Sequence, residues 1–204
     1  MTATTDDFLL EARSHLIGAP DAAIKKAIER AIVRFLRLSH FWVEQSEVTA
    51  SAGESSLSNV FPSGTILQIN TASADGRGLR ISTPSDIRSS AQSSGAVCAI
   101  AIDQVANRVL LWPTPSEASD IRIEAVLIPS RDAEGYPDFL FDLWHDAIVA
   151  GTIADMKAQK DKPWHNPNDA AIKMVEFNEH IAEARRRGYS GGFARLTVQP
   201  RRWL

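Results

Sequence analysis

The chain has 204 residues, 44% of them hydrophobic and 23% charged, with a formal net charge of −3. These values are typical of a globular protein with a sizeable core, and they give no global argument for nucleic acid binding. The one cysteine, Cys98, excludes an internal disulfide and a cysteine-based zinc cluster, and its apolar neighbours predict a buried structural thiol. The first residues do not resemble a signal peptide, and no run approaches the ~20 apolar residues of a membrane span. We therefore expect a soluble protein with no membrane partner.

Two helices are predicted in residues 1–40. The first begins at Thr5 with acidic residues in its first turn and ends before Pro20. The second begins at Asp21 and has an apolar face and a basic face. The basic face could be exposed to solvent or could face an acidic neighbouring subunit, and the sequence leaves both interpretations open. The apolar residues at helical spacing in the first helix are Phe8, Leu9, Ala12, Leu16 and Ile17. Those in the second are Ile24, Ala27, Ile28, Ala31, Ile32 and Phe35. Its basic residues are Lys25, Lys26, Arg30, Arg34 and Arg37.

Residues 41–130 change to the period of two that predicts strands, and we expect a β-rich insertion there. The clearest strand is residues 120–128, where Ile121 and Ile123 alternate with Arg122 and Glu124. A hairpin is predicted between residues 96–103 and 108–112, and a turn at Asp75 with a returning strand at residues 79–83. Short antiparallel strands at this spacing predict a small sandwich or meander.

Two long helices are predicted in residues 131–187. The first carries an apolar stripe from Phe139 to Met156 that is wide enough for contacts on several sides, which leaves open a neighbouring copy beside its own core. The second begins near Asn166 and ends at Gly188 as its C-cap. Its predicted buried residues are Ala170, Ala171, Met174, Val175, Phe177, Ile181 and Ala184. The predicted class is α+β: a bundle of about four helices with an antiparallel β insertion and an extended C-terminal arm.

The predicted arm, residues 188–204, belongs to a stretch of unusual charge. Residues 185–204 hold six arginines and no acidic residue, so residues 1–184 carry about −9. Glycines and Pro200 argue against one continuous helix, and we predict a hinge at Gly188, Gly191 and Gly192. Apolar residues interleaved with the arginines favour docking on a protein over a solubility tail or a nucleic-acid arm. The predicted docking residues are Phe193, Arg195, Leu196, Val198, Arg201, Arg202, Trp203 and Leu204.

Three patterns suggest chemistry, and none is strong enough to predict a catalytic residue, a cofactor or a metal. Residues 188–192 match G-x-S-x-G, but a helix precedes them and no His or Asp follows Ser190, which disfavours a hydrolase. Asp142 could share a helix face with His145 or with Asp146, but a metal site needs three or four converging ligands, so a solvated face is the better interpretation. Gly76 and Gly78 indicate only a turn, since no Walker or dinucleotide-binding loop is present.

The whole layout resembles the head-to-tail adaptor (connector) proteins of short-tailed bacteriophages. The resemblance rests on two motifs: Leu-Trp-Pro-Thr-Pro at residues 111–115, and Gly-Gly-Phe-Ala-Arg-Leu … Pro-Arg-Arg-Trp-Leu at residues 191–204. It implies a twelve-membered ring under the portal protein, with the arms climbing onto the portal subunits. A tail nozzle protein would bind the other face, and genome DNA would pass through the channel without sequence-specific binding. The location implied is the virion head-tail junction, after synthesis in the host cytoplasm.

Overall fold

The computed structural model describes residues 3–90, 93–130, 133 and 135–189. Its helices are α1 (Thr5–His15), α2 (Asp21–Ser39), α3 (Pro84–Ser89), α4 (Phe139–Lys157) and α5 (Pro167–Tyr189). Its strands are β1 (Val43–Ala50), β2 (Ser56–Ser58), β3 (Thr65–Ala74), β4 (Arg77–Gly78), β5 (Arg80–Ile81), β6 (Ser94–Gly95), β7 (Ala99–Asp103), β8 (Arg108–Trp112), β9 (Thr114–Pro115) and β10 (Ser119–Ile128). The predicted α+β class is confirmed.

The chain divides into two compact units. The helical unit consists of Met1–Phe41 and Glu134–Leu204, and the β unit consists of Trp42–Ala133. The chain enters and leaves the β unit at neighbouring points, because the N–H of Leu127 donates to the carbonyl of Trp42 at 2.9 Å. Such an arrangement is that of an insertion between two helices.

Helix α4 is the centre of the helical unit. It packs against α1, α2 and α5, and its residues from Ala147 to Ala154 are all buried. Three helical neighbours within one chain therefore bury most of the wide apolar stripe, although Leu143 of that stripe is 53% exposed. Helices α1 and α5 each pack on both α2 and α4 but not to any comparable extent on each other. They consequently lie on opposite flanks of the α2–α4 pair.

The β unit contains two four-stranded sheets with the strand orders β1-β10-β3-β4 and β2-β8-β7-β5, and a short β6-β9 pair. Strand β10 pairs antiparallel with both β1 and β3, and Ile121, Ile123 and Ala125 are fully buried along it. Strand β3 also contacts β5 and β7 of the other sheet. The predicted hairpin is present, with Asp103 opposite Arg108 at its turn.

The strand predicted after the Asp75 turn differs from the prediction. Asp75 and Gly76 have φ of 48° and 78°, so the tight turn is there, but only Arg77–Gly78 pairs with β3 as a strand, and the N–H of Leu79 makes one more hydrogen bond to the carbonyl of Ala72. From Arg80 the chain hydrogen-bonds to the other sheet, where its N–H donates to the carbonyl of Cys98 at 2.9 Å, and β5 pairs parallel with β7. The strand is divided because this segment crosses from one sheet to the other.

Four predicted buried side chains lie on the surface instead. Ile17 is 84% exposed and Val175 58% exposed, and Ala171 is also exposed. On α5 the fully packed side is narrower than predicted, because Phe177, Ile181 and Ala184 face α2 and α4 while Ala171 and Val175 face away from them. Cys98 is exposed because it alternates with the buried Val97 and Ala99 just before β7.

Candidate functional site

The predicted arm starts at the end of α5. Gly188 lies inside the helix, which continues to Tyr189, so Gly188 is not the C-cap that was predicted. The other hinge residues, Gly191 and Gly192, lie outside the described residues, as do all the predicted docking residues, Phe193, Arg195, Leu196, Val198, Arg201, Arg202, Trp203 and Leu204. What the structure describes is the point from which the arm leaves the helical unit.

That point is held by two arginines. Arg185 donates its Nε–H to the carbonyl oxygen of Leu38 at 2.5 Å, which satisfies a carbonyl in the last turn of α2. Arg187 pairs with Glu183 at 2.5 Å, and its guanidinium lies 5.3 Å from the ring centroid of Trp144. Arg186 is exposed and forms no ion pair with any residue of the described part of the chain. The arginines next to the arm are thus partly used in fastening α5 to α2 and α4.

Trp144 is the aromatic centre of this attachment. Its ring lies 5.3 Å from both Phe35 and Phe41, and it is 2% exposed. Its indole N–H has no hydrogen-bond acceptor among the described residues. The backbone of α4 departs from helical geometry at the same residue, with φ −130° and ψ 19°. A kink and an aromatic cluster therefore coincide beneath the last turn of α5.

Glu11, His145 and Asp146 are the described residues that could converge on a metal ion, with their ligand atoms within 4.8 Å of one another. Nδ1 of His145 lies 3.4 Å from a carboxylate oxygen of each acid. Asp142, which the helix spacing suggested, is not in the group. The histidine ring stacks on Phe8 at 5.3 Å, and both acids are half-exposed or more. The arrangement is that of a polar cluster in which Glu11 of α1 contacts His145 of α4.

In the β unit, two arginines share one carboxylate. Asp103 accepts from Arg88 at 2.7 Å and from Arg108 at 3.2 Å. Burial acts to raise the pKa of Asp103, but the N–H of Ala106 and the two guanidinium groups outweigh it and hold this pKa below its ordinary value. Both arginines line an open groove of about 670 Å³, together with serine hydroxyls such as those of Ser55 and Ser90. Because two guanidinium groups share one carboxylate, one positive charge is left in excess. Such a charge could bind a small anion or an acidic side chain.

The G-x-S-x-G pattern begins in a helix. Because α5 runs through Gly188 to Tyr189, the strand that a nucleophile elbow requires does not precede it. Among the described helices, none is both long enough and apolar enough to cross a membrane.

Sequence reasoning missed the exposed apolar residues of the flanking helices. Leu10 on α1 is 82% exposed and Ile172 on α5 is 64% exposed. The signal that could have found them is the spacing, since Leu10 falls opposite Phe8 and Ala12, and Ile172 falls opposite Ala170 and Phe177 on a helical wheel.

A family model described as SU10 adaptor protein matches residues 3–199 of the chain. The match spans both compact units and reaches into the arm. No curated protein matches the sequence.

Proposed function

The chain belongs to the SU10 adaptor protein family, and from that premise we propose that it forms the adaptor ring between the portal and the tail of a bacteriophage. Membership makes it a phage adaptor, a structural component of the virion. The finer proposal is a homo-oligomeric, twelve-membered ring at the head-tail junction that docks on the portal protein through its arm. It receives the tail nozzle protein on the opposite face and continues the DNA channel.

The observation that carries this proposal is the extent of the family match. Residues 3–199 include the helical unit, the β unit and the first part of the arm, so the likeness is not limited to one unit that could serve another purpose. Exposed apolar residues on both flanks of the helical unit also support a protein that works in an assembly.

Docking through the arm rests on its composition and on where it begins. Burying Phe193 or Trp203 would contribute about 1.5–3 kcal/mol each, before the cost of ordering the segment is subtracted. That is a small term for one copy, but repetition around a ring multiplies it through avidity. Arg185 and Arg187 hold the last turn of α5 against α2 and α4, so each arm would start from a fixed place.

Passage of DNA is supported by the charge distribution. Residues 1–184 carry about −9, while residues 185–204 carry about +6 from six arginines and no acidic residue. An acidic body repels phosphates, which suits a channel through which genome DNA slides without sequence-specific binding.

The second candidate is a nucleic-acid-binding protein that uses the arm, favoured by six arginines without an acid in twenty residues. Two observations weigh against it. Arg185 and Arg187 are engaged by Leu38, Glu183 and Trp144 within the helical unit, and the remaining arginines alternate with apolar side chains. A phosphate-binding arm has no need of those apolar residues.

Removal of residues 190–204 tests the docking, since it leaves α5 complete. The truncated chain should keep its circular dichroism spectrum and lose its binding to purified portal-containing heads. If it binds heads as the full chain does, the docking proposal is wrong.

Two matched double variants separate the portal-docking proposal from the nucleic-acid-binding candidate. Phe193→Ala with Trp203→Ala should abolish portal binding, whereas an arm for nucleic acid would tolerate it. Arg201→Ala with Arg202→Ala would flatten a steep salt dependence of DNA binding only if the second candidate holds.

A further inference from the structure

The helical unit carries two exposed stripes on opposite flanks. The α1 stripe consists of Asp6, Leu10 and Arg13 on α1, together with Ile17 in the turn that follows the helix. The α5 stripe consists of Val175, Glu179, Ala182 and Arg186. All eight residues are exposed. The helical residues of each stripe lie on the side opposite the buried residues, which are Phe8 and Ala12 for α1 and Phe177, Ile181 and Ala184 for α5. Because α1 and α5 flank the α2–α4 pair on opposite sides, the two stripes face away from each other.

We propose that the α1 stripe of one copy binds the α5 stripe of the next copy, with the two helices antiparallel. This inference rests on the proposed ring and names the surfaces that build it. The spacing of the helical positions matches: positions 6, 10 and 13 of α1 are separated by four and three residues, and so are positions 186, 182 and 179 of α5 when it is read in the opposite direction. Antiparallel helices can therefore keep these three positions in register along one seam, with Ile17 just beyond the end of α1.

In that register, apolar side chains of one stripe face apolar side chains of the other, and each charged side chain faces one of opposite charge. Leu10 falls against Ala182, and Ile17, beyond the end of α1, lies toward the Val175 end of the seam. The charged positions also pair correctly, since Arg13 falls against Glu179 and Asp6 falls against Arg186. One apolar contact thus lies between two ion pairs, which is the pattern of a specific helix–helix seam.

Other pairings of the same surfaces do not match. Parallel helices would place Val175 on Asp6 and Glu179 on Leu10. Two α1 stripes facing each other would put Leu10 on Arg13, and two α5 stripes would put Val175 on Arg186. Charge complementarity therefore selects contact between different faces. Such a heterologous interface generates a closed ring when the rotation between copies allows, and a filament otherwise.

The charged members of the stripes remain available to a second copy. Asp6 pairs with Lys25 at 2.6 Å and Arg13 with Asp21 at 3.5 Å, but the side chains of Asp6 and Arg13 are 64% and 65% exposed. Glu179 and Arg186 form no ion pair with any other described residue of the chain. The α5 stripe thus offers charges that are not yet paired within the part of the helical unit that the structure describes.

Cysteine cross-linking tests the interface, in a background in which the exposed Cys98 is replaced (Cys98→Ser). Leu10→Cys protein and Ala182→Cys protein are mixed with portal-containing heads and oxidised. Because the two thiols would be neighbours only across the proposed contact, the mixture should give about tenfold more covalent dimer than either protein alone. Val105→Cys, at a fully exposed position of the β unit, replaces Ala182→Cys as the control and should give no such increase.

The outcomes separate this inference from the proposed function. If the heads bind the chain and the mixture gives no excess dimer, the interface is wrong while the adaptor proposal stands. If each single variant dimerises as well as the mixture, the contact joins identical faces and the inference is overturned. If heads do not bind the chain, the adaptor proposal fails, and the same mixture in concentrated solution decides the interface.

A charge exchange provides a second measurement that does not depend on cysteines. Arg13→Glu or Glu179→Arg alone places like charges together and should weaken association between copies about fivefold to tenfold per contact. Both changes in one chain restore opposite charges and should return association to within about twofold of the original. Glu117→Arg in the β unit is the control and should change nothing. A double variant no better than the worse single variant would overturn the inference.

Discussion

Close contact between α4 and α5 depends on Gly151. A Cβ at this position would lie 2.8 Å from the ring of Phe177, which is itself 1% exposed and cannot move into free space. The absence of a side chain is therefore what allows the two helices to approach at the centre of the helical unit.

Gly151→Ala should lower the free energy of unfolding of the helical unit by about 1–3 kcal/mol, because overpacking outweighs the better helix propensity of alanine. Urea unfolding followed by helical circular dichroism measures it. Gly188→Ala is the matched control: its Cβ would meet Phe41 at an ordinary 3.9 Å, so alanine should leave stability unchanged or raise it by up to about 1 kcal/mol. Equal effects of the two substitutions would contradict this account of the contact.

Asp75 gives the β unit a pH-dependent contribution. Its carboxylate accepts from the N–H of Asp120 at 2.9 Å and from the hydroxyl of Ser119 at 2.8 Å. The backbone N–H, and then the hydroxyl, hold the pKa of Asp75 below its ordinary value. A group whose pKa is lowered on folding stabilises the protein above its unfolded pKa, and this stability is lost as the pH falls through the folded pKa.

Asp75→Asn should therefore destabilise the β unit at neutral pH and make little difference in strong acid, where the native carboxyl is protonated as well. The test compares the unfolding midpoints of the native protein and the variant at pH 7 and at successively lower pH. The difference between the two midpoints should become smaller as the pH falls. Glu117→Gln, at an exposed glutamate of the same unit, should show no gap at any pH. A gap for Asp75→Asn that is constant with pH would show that the charge plays no part.

At the scale of elements, periodicity predicted most of what the structure contains. The pattern of residues 120–128 identified β10, and that of residues 24–35 identified the buried face of α2, because each alternates strongly between apolar and polar residues. It did not assign Val175 or Ile17 to the surface. Val175 lies on the side of α5 away from Phe177, and Ile17 follows the end of α1 at His15, so both positions depend on where each helix ends and on how α1 and α5 pack on the α2–α4 pair.

Candidate sites were harder to predict than elements. The convergence of Glu11 with His145 and Asp146 joins residues 134 or more positions apart, so no local spacing could reveal it. The sharing of Asp103 by Arg88 and Arg108 likewise depends on α3 lying near the β7–β8 hairpin. Contacts within one helix, such as that of Arg187 with Glu183, were within reach of the sequence.

The β unit should fold without the helices. It has its own core, and its first and last strands are adjacent, with Val43 paired with Val126 in β1 and β10. Residues 42–133 expressed alone should give a β-type circular dichroism spectrum and cooperative thermal unfolding. A spectrum of an unfolded chain would mean that the β unit depends on the helical unit for its stability.

At the scale of the whole molecule, the exposed surfaces of the helical unit are consistent with membership of an adaptor family. The helical unit presents opposed stripes on α1 and α5, and the last turn of α5, held over Trp144, is the origin of the arginine-rich arm. Copies joined side by side through the stripes would each leave one arm free to dock on the portal. In this account lateral contact and axial docking use different parts of the chain.

The most direct test is an electron microscopy reconstruction of purified portal-containing heads before and after addition of the full-length chain. Added density should form a closed ring on the outer face of the portal, coaxial with its channel, with one connection to the portal per copy. The same heads with the chain lacking residues 190–204 should show no such ring. Heads that acquire no density, or acquire it away from the portal, would contradict the account.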